Sequence, residues 1–386
     1  MKNRLLQLLD HFPQLQAKVI APVPWFPIKM KKGPLAEYAK FVDVPAQEKI
    51  DDIDVLHPRY LVLPKIGMYL TPFFLFLAMW RATRKLKQQG YDFDLIDGHY
   101  FYPDGVAITL LAKLFKKPFT VTARGTDINL IPQYPVAKRM VQWVANSADG
   151  IITVCQALKD ELLTFAPVGN KTKALRNGVD LVFFNATDSQ QQQNKKQQWQ
   201  VKPSDKLIIS VGHLIERKGH HLVIESLLSA PDYYLIIAGD GPESERLKQQ
   251  VSLLKLQDRV RFAGALSQIE LRELYQAADA LILASSREGW ANVLLESMAC
   301  GTAVVATNLW GTPEVVASKE AGVLVEREPK AIAQGLSVLF KANIQRHQTR
   351  QYAERFDWLS TSQGQFELFN HITGNQLNNQ TESTQC

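Results

Sequence analysis

Two glutamates eight positions apart, Glu288 and Glu296, are the residues whose type and spacing first suggest chemistry. The apolar run 280–284 predicts a buried strand, and the apolar periodicity before Gly301 predicts a helix. Glu288 then lies on the loop before the helix and Glu296 lies inside it. At about 100° per residue the two carboxylates do not share a helix face, so the pattern favours two contacts with one long ligand. The backbone N–H groups of 289–293, at the start of the helix, suit a phosphate.

Without its surroundings, this glutamate pair has a simpler interpretation. Carboxylate pairs at this spacing are common by chance, and Glu288 would then be a solvated loop residue and Glu296 a charge on a helix surface. For the motif alone, that interpretation is favoured.

A second candidate is the turn 212–219, between a predicted strand at Lys206–Val211 and a helix that begins at His220. Gly212 and Gly219 permit close backbone approach, and Lys218 supplies a point charge for a diphosphate. A basic turn is by itself more often a solvated loop than a phosphate clamp.

The segment 94–127 has the pattern strand, helix, strand, which indicates an α/β domain. In open α/β sheets ligands bind at the carboxyl ends of the strands, so His99, Arg124 and Asp127 are site candidates by position. The structural alternative is an ion pair between Arg124 and Asp127 that holds the loop.

Together these segments resemble the retaining, nucleotide-sugar-dependent glycosyltransferases of the GT-B fold, in family four. The resemblance covers about 95–371 and rests on E-x7-E followed by A-C-G-T-x-V-V-A-T at 288–307, H-x-x-Y-P-x-G at 99–105, R-G-x-D at 124–127, N-G-V-D at 177–180, a glycine turn ending in R-K-G at 212–219, G-D-G-P at 239–242 and V-x-F-x-G at 260–264. It implies an α/β protein of two Rossmann-like α/β/α domains that face an interdomain cleft. In this context, the phosphate clamp is the favoured interpretation of the basic turn.

The resemblance also implies roles for individual residues. Glu288 would contact the transferred sugar, Glu296 the ribose hydroxyls and Lys218 the phosphates. A guanidinium cannot act as a base, so Arg124 is assigned charge stabilisation and orientation. The implied catalytic residues are Glu288, Lys218, Arg124, His99 and Asp127, and the implied donor-binding residues are Gly212, His213, Arg217, Gly264, Gly289, Trp290, Ala291, Asn292, Val293 and Glu296.

The chain departs from the family pattern at several positions. His213 stands where arginine is frequent, which weakens that contact or makes it pH-dependent. Trp290 replaces a more usual phenylalanine, Ala291 a common glycine and Ala303 a common proline. Ala291 narrows the phosphate loop slightly, and we do not expect it to abolish binding.

The implied reaction moves a sugar from a nucleoside diphosphate sugar, UDP- or GDP-linked, to an acceptor hydroxyl, with retention of configuration and with neither metal nor cofactor. The acceptor would be a carbohydrate or lipid-linked molecule of bacterial surface polysaccharide or glycolipid synthesis. The alternatives are a sugar-nucleotide epimerase or phosphorylase of the same fold, and a non-catalytic homologue in a polysaccharide assembly complex. A nicotinamide dehydrogenase is disfavoured because no G-x-G-x-x-G follows a strand.

Length, charge and cysteine content set broad limits. With 386 residues the chain is long enough for two domains. The net charge of +6 is compatible with anionic substrates or a membrane surface and is too weak to indicate nucleic acid. The three cysteines lack metal-ligand spacing and make a disulfide framework improbable, which favours a reducing cytoplasm.

The strongest apolar run, 66–80, is shorter than the roughly 18–20 residues of a spanning helix and contains Pro72. The favoured interpretation is a core helix with a solvated basic end, since Arg81, Arg84, Lys85 and Lys87 follow at once. The alternative is a peripheral face at the cytoplasmic side of the inner membrane, which Lys29, Lys31 and Lys32 could join.

The expected organisation is an N-terminal acceptor-side domain at 1–183, a glutamine-rich connector at 184–204 and a nucleotide-sugar domain at 205–345. A helix at 346–372 is expected to cross back to the first domain, and a disordered tail at 373–386 to follow. Met1 falls inside the predicted first helix, so the usual first strand and glycine-rich turn are missing. Either the start codon is placed too late or the product is truncated, and the upstream genomic sequence would decide.

Overall fold

The computed structural model describes residues 1–25, 41–62, 67–202, 204–230 and 232–374, which divide into two compact units. The first unit comprises Met1–Val154, Leu158–Leu175 and the residues from Leu359 onward. The second comprises Cys155–Ala157 and Arg176–Trp358.

In the first unit, parallel strand pairing dominates. The elements are α1 Lys2–His11, β1 Val19–Ile20, β2 Val23–Trp25, β3 Gln47–Ile50, β4 Ile53–Leu56, β5 Arg59–Leu61, α2 Gly67–Gln88, β6 Ile96–His99, α3 Val106–Phe115, β7 Phe119–Ala123, α4 Thr126–Asn129, α5 Pro135–Ser147, β8 Gly150–Thr153, α6 Gln156–Phe165 and β9 Thr172–Ala174. Strands β6, β7, β8 and β9 pair in that order, all parallel. Two small sheets, β1-β4-β3 and β2-β5, complete the described pairing, and only β3 and β4 run antiparallel.

The strand–helix–strand prediction for 94–127 is confirmed by β6, α3 and β7. Every residue of β7 is buried, as expected for a parallel strand covered on both faces. A short π-helical turn, Phe101–Gly105, links β6 to α3. The chain therefore leaves β6 and β7 at the same edge of the sheet, where the predicted site residues of this unit lie.

The second unit is built around one six-stranded parallel sheet. Its elements are α7 Ser189–Gln198, β10 Lys206–Val211, α8 His220–Ser226, β11 Tyr233–Ala238, α9 Ser244–Leu253, β12 Val260–Gly264, α10 Gln268–Ala277, β13 Ala280–Leu283, α11 Asn292–Ala299, β14 Val304–Thr307, α12 Thr312–Val315, β15 Gly322–Val325, α13 Pro329–Lys341 and α14 Arg346–Ala353. The central strands β10, β13 and β14 are mostly apolar and are buried at every residue except Lys206, as their composition predicts.

The strand order of this sheet, β12-β11-β10-β13-β14-β15, reverses between β10 and β13. The strands that follow β10 build outward on one side, and those that follow β13 build outward on the other. Ligands of open α/β sheets bind in the crevice at such a reversal, outside the carboxyl ends of the strands. The loops after β10 and β13, which carry the predicted donor site, lie there.

The glutamine-rich connector was predicted to be a low-complexity segment with too little apolar surface to fold alone, yet about half of it is the helix α7. Asp188 and Gln191 form a capping box at its start. Lys196 is buried and forms an ion pair with Asp279 at 2.7 Å. The helix is thus held by polar contacts, which a count of apolar residues does not register.

The prediction of a single helix over 346–372 is also wrong. The chain forms α14 and then α15, Leu359–Ile372, and bends between them. The bend is stabilised by the N-G-V-D segment, because the Val179 N–H donates to the Phe356 carbonyl at 2.9 Å. Helix α15 packs on α1 in the first unit, where the Phe12 and Phe366 rings stack 4.0 Å apart.

The apolar run 66–80 lies largely in α2, which buries one face and exposes part of the other. Leu75, Ala78 and Met79 are buried, as expected of a core helix. Within the described residues, no helix has the length and apolar character needed to cross a bilayer. The predictions for Lys29, Lys31 and Lys32 and for the tail after Gly374 lie outside the described residues.

Candidate functional site

The loops that follow β10 and β13 are joined through their backbones. Ser286 N–H donates to the Arg217 carbonyl at 2.8 Å. Gly219 adopts φ +71°, and a Cβ at this position would lie 2.1 Å from the Ala284 carbonyl oxygen. Only glycine tolerates both the positive φ and the short distance to the Ala284 carbonyl. The close approach of the two backbones therefore sets the shape of the 212–219 turn.

Three predicted site residues, Arg217, Lys218 and Glu288, meet where these two loops contact each other. Lys218 Nζ donates to Glu288 Oε1 at 2.6 Å, and Arg217 Nη1 lies 3.7 Å from the same oxygen. Ser285, a fully buried residue, also donates to Oε1 at 2.6 Å. Glu288 is 9% exposed, so the loop carboxylate is fixed rather than solvated. The interpretation of Glu288 as a solvated loop residue is therefore wrong.

The segment from Glu288 to α11 is anchored by Trp290, which is buried. Its indole Nε1 donates to the Asn177 carbonyl at 2.9 Å, and the Arg176 guanidinium lies 5.9 Å from its ring centroid. Asn292, exposed at the start of α11, accepts a hydrogen bond from the Asn177 amide at 3.4 Å. The N-G-V-D segment at 177–180 thus supports the segment on which the predicted donor-binding residues Gly289, Ala291 and Val293 also lie.

Glu296 lies one turn into α11, where it is largely buried and bound to Tyr275 of α10. The Tyr275 hydroxyl donates to Glu296 Oε2 at 2.9 Å. Burial raises the pKa of Glu296, and the hydrogen bond from Tyr275 opposes that rise. The alternative that Glu296 is an ordinary helix-surface charge is therefore wrong.

The remaining donor-site candidates of the second unit, Gly212, His213 and Gly264, lie where strands end. His213 is exposed, and its Nδ1 is bonded to the Asp240 carbonyl, so Nδ1 carries the proton of that hydrogen bond. Gly264 adopts φ +71° with open space around it.

In the first unit, His99 and Arg124 contact each other directly. Arg124 Nη2 lies 3.0 Å from His99 Nδ1. Because a guanidinium only donates, Nδ1 must accept and Nε2 carries the proton, 3.5 Å from an Asp97 carboxylate oxygen. Burial, reinforced by the charges of Arg124 and Arg4, holds the pKa of His99 well below its ordinary value. His99 is thus a neutral hydrogen-bonding group rather than a poised base.

Asp127 is fully buried and organises the loop after β7. Its Oδ1 accepts the N–H groups of Arg124 and Gly125 at 3.0 and 2.9 Å, and its Oδ2 accepts that of Phe101 at 3.0 Å. The loop is therefore held by backbone hydrogen bonds to the carboxylate, while the Arg124 side chain turns to His99. A direct contact between Asp127 and a substrate stays a prediction.

Behind His99 lies a polar network that the sequence interpretation missed. Arg4 is 2% exposed and donates to Gln365 Oε1 at 2.8 Å, and Gln365 donates to Asp97 at 3.1 Å. Burial, followed by the nearby Arg124 charge, lowers the pKa of Arg4 to about 10. The network links α1 and α15 to the strand that carries His99.

Two further residues were missed in the second unit, Ser285 and Tyr275. Ser285 directly follows a buried strand, and a hydroxyl at that place, three residues before Glu288, was a usable signal. Tyr275 lies at a position of its helix that the apolar pattern assigns to the core. A buried tyrosine usually needs a partner for its hydroxyl, but the sequence around Tyr275 does not identify that partner.

Two family descriptions match the chain over most of its length. Residues 191–356 match the description "Glycosyl transferases group 1", and residues 30–183 match "Glycosyltransferase Family 4". The chain is a group 1 glycosyltransferase. The family predicted from the motifs is confirmed, and retention of configuration stays a prediction.

Three curated relatives share between 24% and 27% sequence identity with this glycosyltransferase. An uncharacterised glycosyltransferase of Methanocaldococcus jannaschii is 27% identical over 336 residues, which cover 82% of this chain and 84% of the relative. The putative teichuronic acid biosynthesis glycosyltransferase TuaC of Bacillus subtilis is 24% identical over 84% of this chain and 80% of its own. The match to N-acetyl-alpha-D-glucosaminyl L-malate synthase of Bacillus anthracis, 26% identical, covers 60% of this chain and 61% of that relative's length.

Solved structures share the fold of this glycosyltransferase. Sucrose-phosphate synthase from Thermosynechococcus elongatus aligns with a TM-score of 0.75 at 20% identity, over 86% of this chain and 87% of the other. HepE of Anabaena, in complex with UDP, aligns with a TM-score of 0.70 at 23% identity, over 83% and 87%. The predicted GT-B fold of two Rossmann-like α/β domains is confirmed.

Proposed function

We propose that this glycosyltransferase moves a sugar from a nucleoside diphosphate sugar to an acceptor hydroxyl, with retention of configuration and without a metal. The observation that supports this most is that Lys218 and Ser285 both donate to Glu288, at the strand-order reversal and beside the start of α11. Lys218 and the N–H groups of 289–293 would stabilise the charge that develops on the leaving diphosphate.

The other site residues receive roles that fit their surroundings. Glu288 would contact the transferred sugar and Glu296 the ribose hydroxyls, because each is a fixed carboxylate that can accept hydrogen bonds. In the first unit, Arg124 would orient the acceptor side and stabilise charge. His99 would bind by donating from Nε2, and Asp127 would hold the loop between them.

The donor is proposed to be UDP-linked, with GDP as the alternative base. HepE, which shares the fold, has been solved with UDP and with UDP-glucose. The acceptor is proposed to be a carbohydrate or lipid-linked molecule of bacterial surface polysaccharide or glycolipid synthesis, which the name of the relative TuaC supports. No nucleic acid is expected as a partner.

We further propose that the protein works in the cytoplasm and contacts the inner membrane through α2. Tyr69, Leu70 and Phe73 are exposed at one end of this helix, and the exposed cations Arg81 and Lys85 lie farther along it. Apolar side chains that enter the interface beside cations that meet anionic headgroups would give such contact. The protein is expected to co-sediment with anionic vesicles and less with neutral ones. Equal absence from both pellets would contradict the contact.

The test of the donor site is thermal stability against UDP, GDP, ADP and their sugars. A ligand that binds only the folded state stabilises by about 2.7 kcal/mol at a hundred times its Kd. We expect a selective rise with one base, and a smaller rise in Lys218→Ala. A protein that no nucleotide stabilises would contradict the proposed function and favour a non-catalytic homologue.

The reaction itself needs a second readout. Release of nucleoside diphosphate that depends on an added acceptor is expected of a transferase. An epimerase would consume the donor sugar without any acceptor and would release no transferred product, so this outcome would overturn the proposal.

A further inference from the structure

The contact between Tyr275 and Glu296 joins two helices at one point of the proposed donor site. Tyr275 lies on α10 and its side chain is fully buried. Its ring meets the Phe184 ring edge-on, with centroids 6.1 Å apart, and its carbonyl accepts the Thr302 hydroxyl at 2.7 Å. Both the ring and the backbone of Tyr275 are therefore held in place. Its hydroxyl, which donates to Glu296 Oε2 at 2.9 Å, has little freedom to move.

We propose that Tyr275 is a positioning residue of the donor site, whose hydroxyl fixes the Glu296 carboxylate so that Oε1 accepts the hydroxyls of the donor ribose. This inference rests on the proposed function, since it takes the ribose contact of Glu296 from it. A glutamate on a helix has three side-chain torsions, so without a partner its carboxylate would sample several orientations. With Oε2 held, the direction of the other oxygen is set before the nucleotide binds, which lowers the entropic cost of binding.

The same hydrogen bond bears on the charge of Glu296. Burial raises the pKa of Glu296, and the Tyr275 hydrogen bond, which stabilises the ionised form, lowers it. The pKa of Tyr275 is well above its ordinary value because of burial, then the charge of Glu296 and the hydrogen bond to it, so Tyr275 remains a donor. Burial raises the pKa of Cys300 to about 12, so this thiol stays neutral, and the cations around it are Arg272, Arg346 and Arg350.

The sign of the expected pH effect follows. A glutamate whose folded pKa is raised loses its charge as pH falls through that value. Without the Tyr275 hydroxyl the pKa of Glu296 rises further, so protonation occurs at a higher pH. Because an ionised carboxylate accepts ribose hydroxyls better than a protonated one, donor affinity is then lost at a higher pH.

The experiment measures Kd for the nucleoside diphosphate selected by the stability panel, from about pH 5.5 to 8.5, in wild type, Tyr275→Phe, Glu296→Gln and the double variant. Tyr275→Phe is expected to bind about tenfold more weakly at neutral pH, with the acid-side loss of affinity moved upward. Glu296→Gln should raise the donor KM and flatten the pH profile, and adding Tyr275→Phe to it should change little. The turnover of saturated enzyme should change far less than KM.

Tyr352→Phe is the matched control. Tyr352 is a buried tyrosine of the same unit whose hydroxyl donates to the Val315 carbonyl at 2.9 Å. It should lose stability without a change in the pH profile of nucleotide binding. If Tyr275→Phe binds with wild-type Kd and profile, or if Tyr352→Phe reproduces its effect, the positioning role is wrong and the proposed function stands. If wild type binds no nucleotide at all, the proposed function falls and this inference falls with it.

Discussion

Replacing Lys218 with alanine is expected to slow donor turnover by roughly a hundredfold or more, the typical cost of one charge-stabilising donor in a preorganised site. Lys218 is held by Glu288 at 2.6 Å, and its side chain is 15% exposed. The ammonium is thus fixed beside the start of α11, at the proposed donor site. The measurement is the rate of nucleoside diphosphate release from the donor that the stability panel selects.

The control for Lys218→Ala is Lys248→Ala, on α9 of the same unit. Lys248 is half exposed and pairs with Glu245 on the helix surface, so its loss should leave turnover unchanged. Thermal unfolding of both variants separates lost chemistry from lost folding. Near-normal turnover in Lys218→Ala would remove the proposed role.

Replacing Lys196 with methionine is expected to destabilise the second unit by about 3–5 kcal/mol, the usual cost of breaking a buried ion pair from one side. Lys196 and Asp279 are 6% and 12% exposed and lie 2.7 Å apart. Lys196 also donates to the Asp205 carbonyl at 3.1 Å. Loss of the ammonium leaves the Asp279 carboxylate in a site that water reaches poorly. The measurement is the midpoint of denaturant unfolding, followed by a probe in the second unit.

The neighbouring Lys195→Met variant is the control for this prediction. Lys195 lies 3.8 Å from Glu273 and both are more exposed, so the expected change is below about 1 kcal/mol. Lys196→Met combined with Asp279→Asn should recover part of the lost stability, because the uncompensated charge is gone while an oxygen remains for the Leu207 N–H. Equal midpoints for the Lys195 and Lys196 variants would contradict the stabilising role of the buried pair.

Local patterns predicted the central elements well. The buried strand β13 is a continuous apolar run and β10 is mostly apolar, and the glycines that follow β10 mark the turn that leads into α8. Because parallel strands place their carboxyl ends at one edge, the sequence could also place Lys218 and Glu288 at the same end of one sheet. Their direct contact could not be predicted, since it depends on β10 and β13 being neighbours despite the 68 residues between Val211 and Ala280.

The features that the sequence did not predict share a physical cause. Each of them is stabilised by residues that are distant in the chain. Helix α7 depends on Asp279, and the bend before α15 depends on Val179, so neither follows from local composition. Tyr275 has the burial of a core residue, and only the fold reveals that its hydroxyl reaches Glu296. Arg4 is similar, because a charged residue on the inner face of α1 is acceptable only where Gln365 receives it.

The shape of the 212–219 turn depends on main-chain packing at Gly219 rather than on the side chains of the turn. The turn is set by a glycine against the Ala284 carbonyl, a contact in which no side chain takes part. We therefore expect the turn to keep its shape when the side chain at position 213 changes, whereas any side chain at position 219 would clash with the Ala284 carbonyl. The charge at position 213 can thus differ while the backbone of the 212–219 turn stays the same.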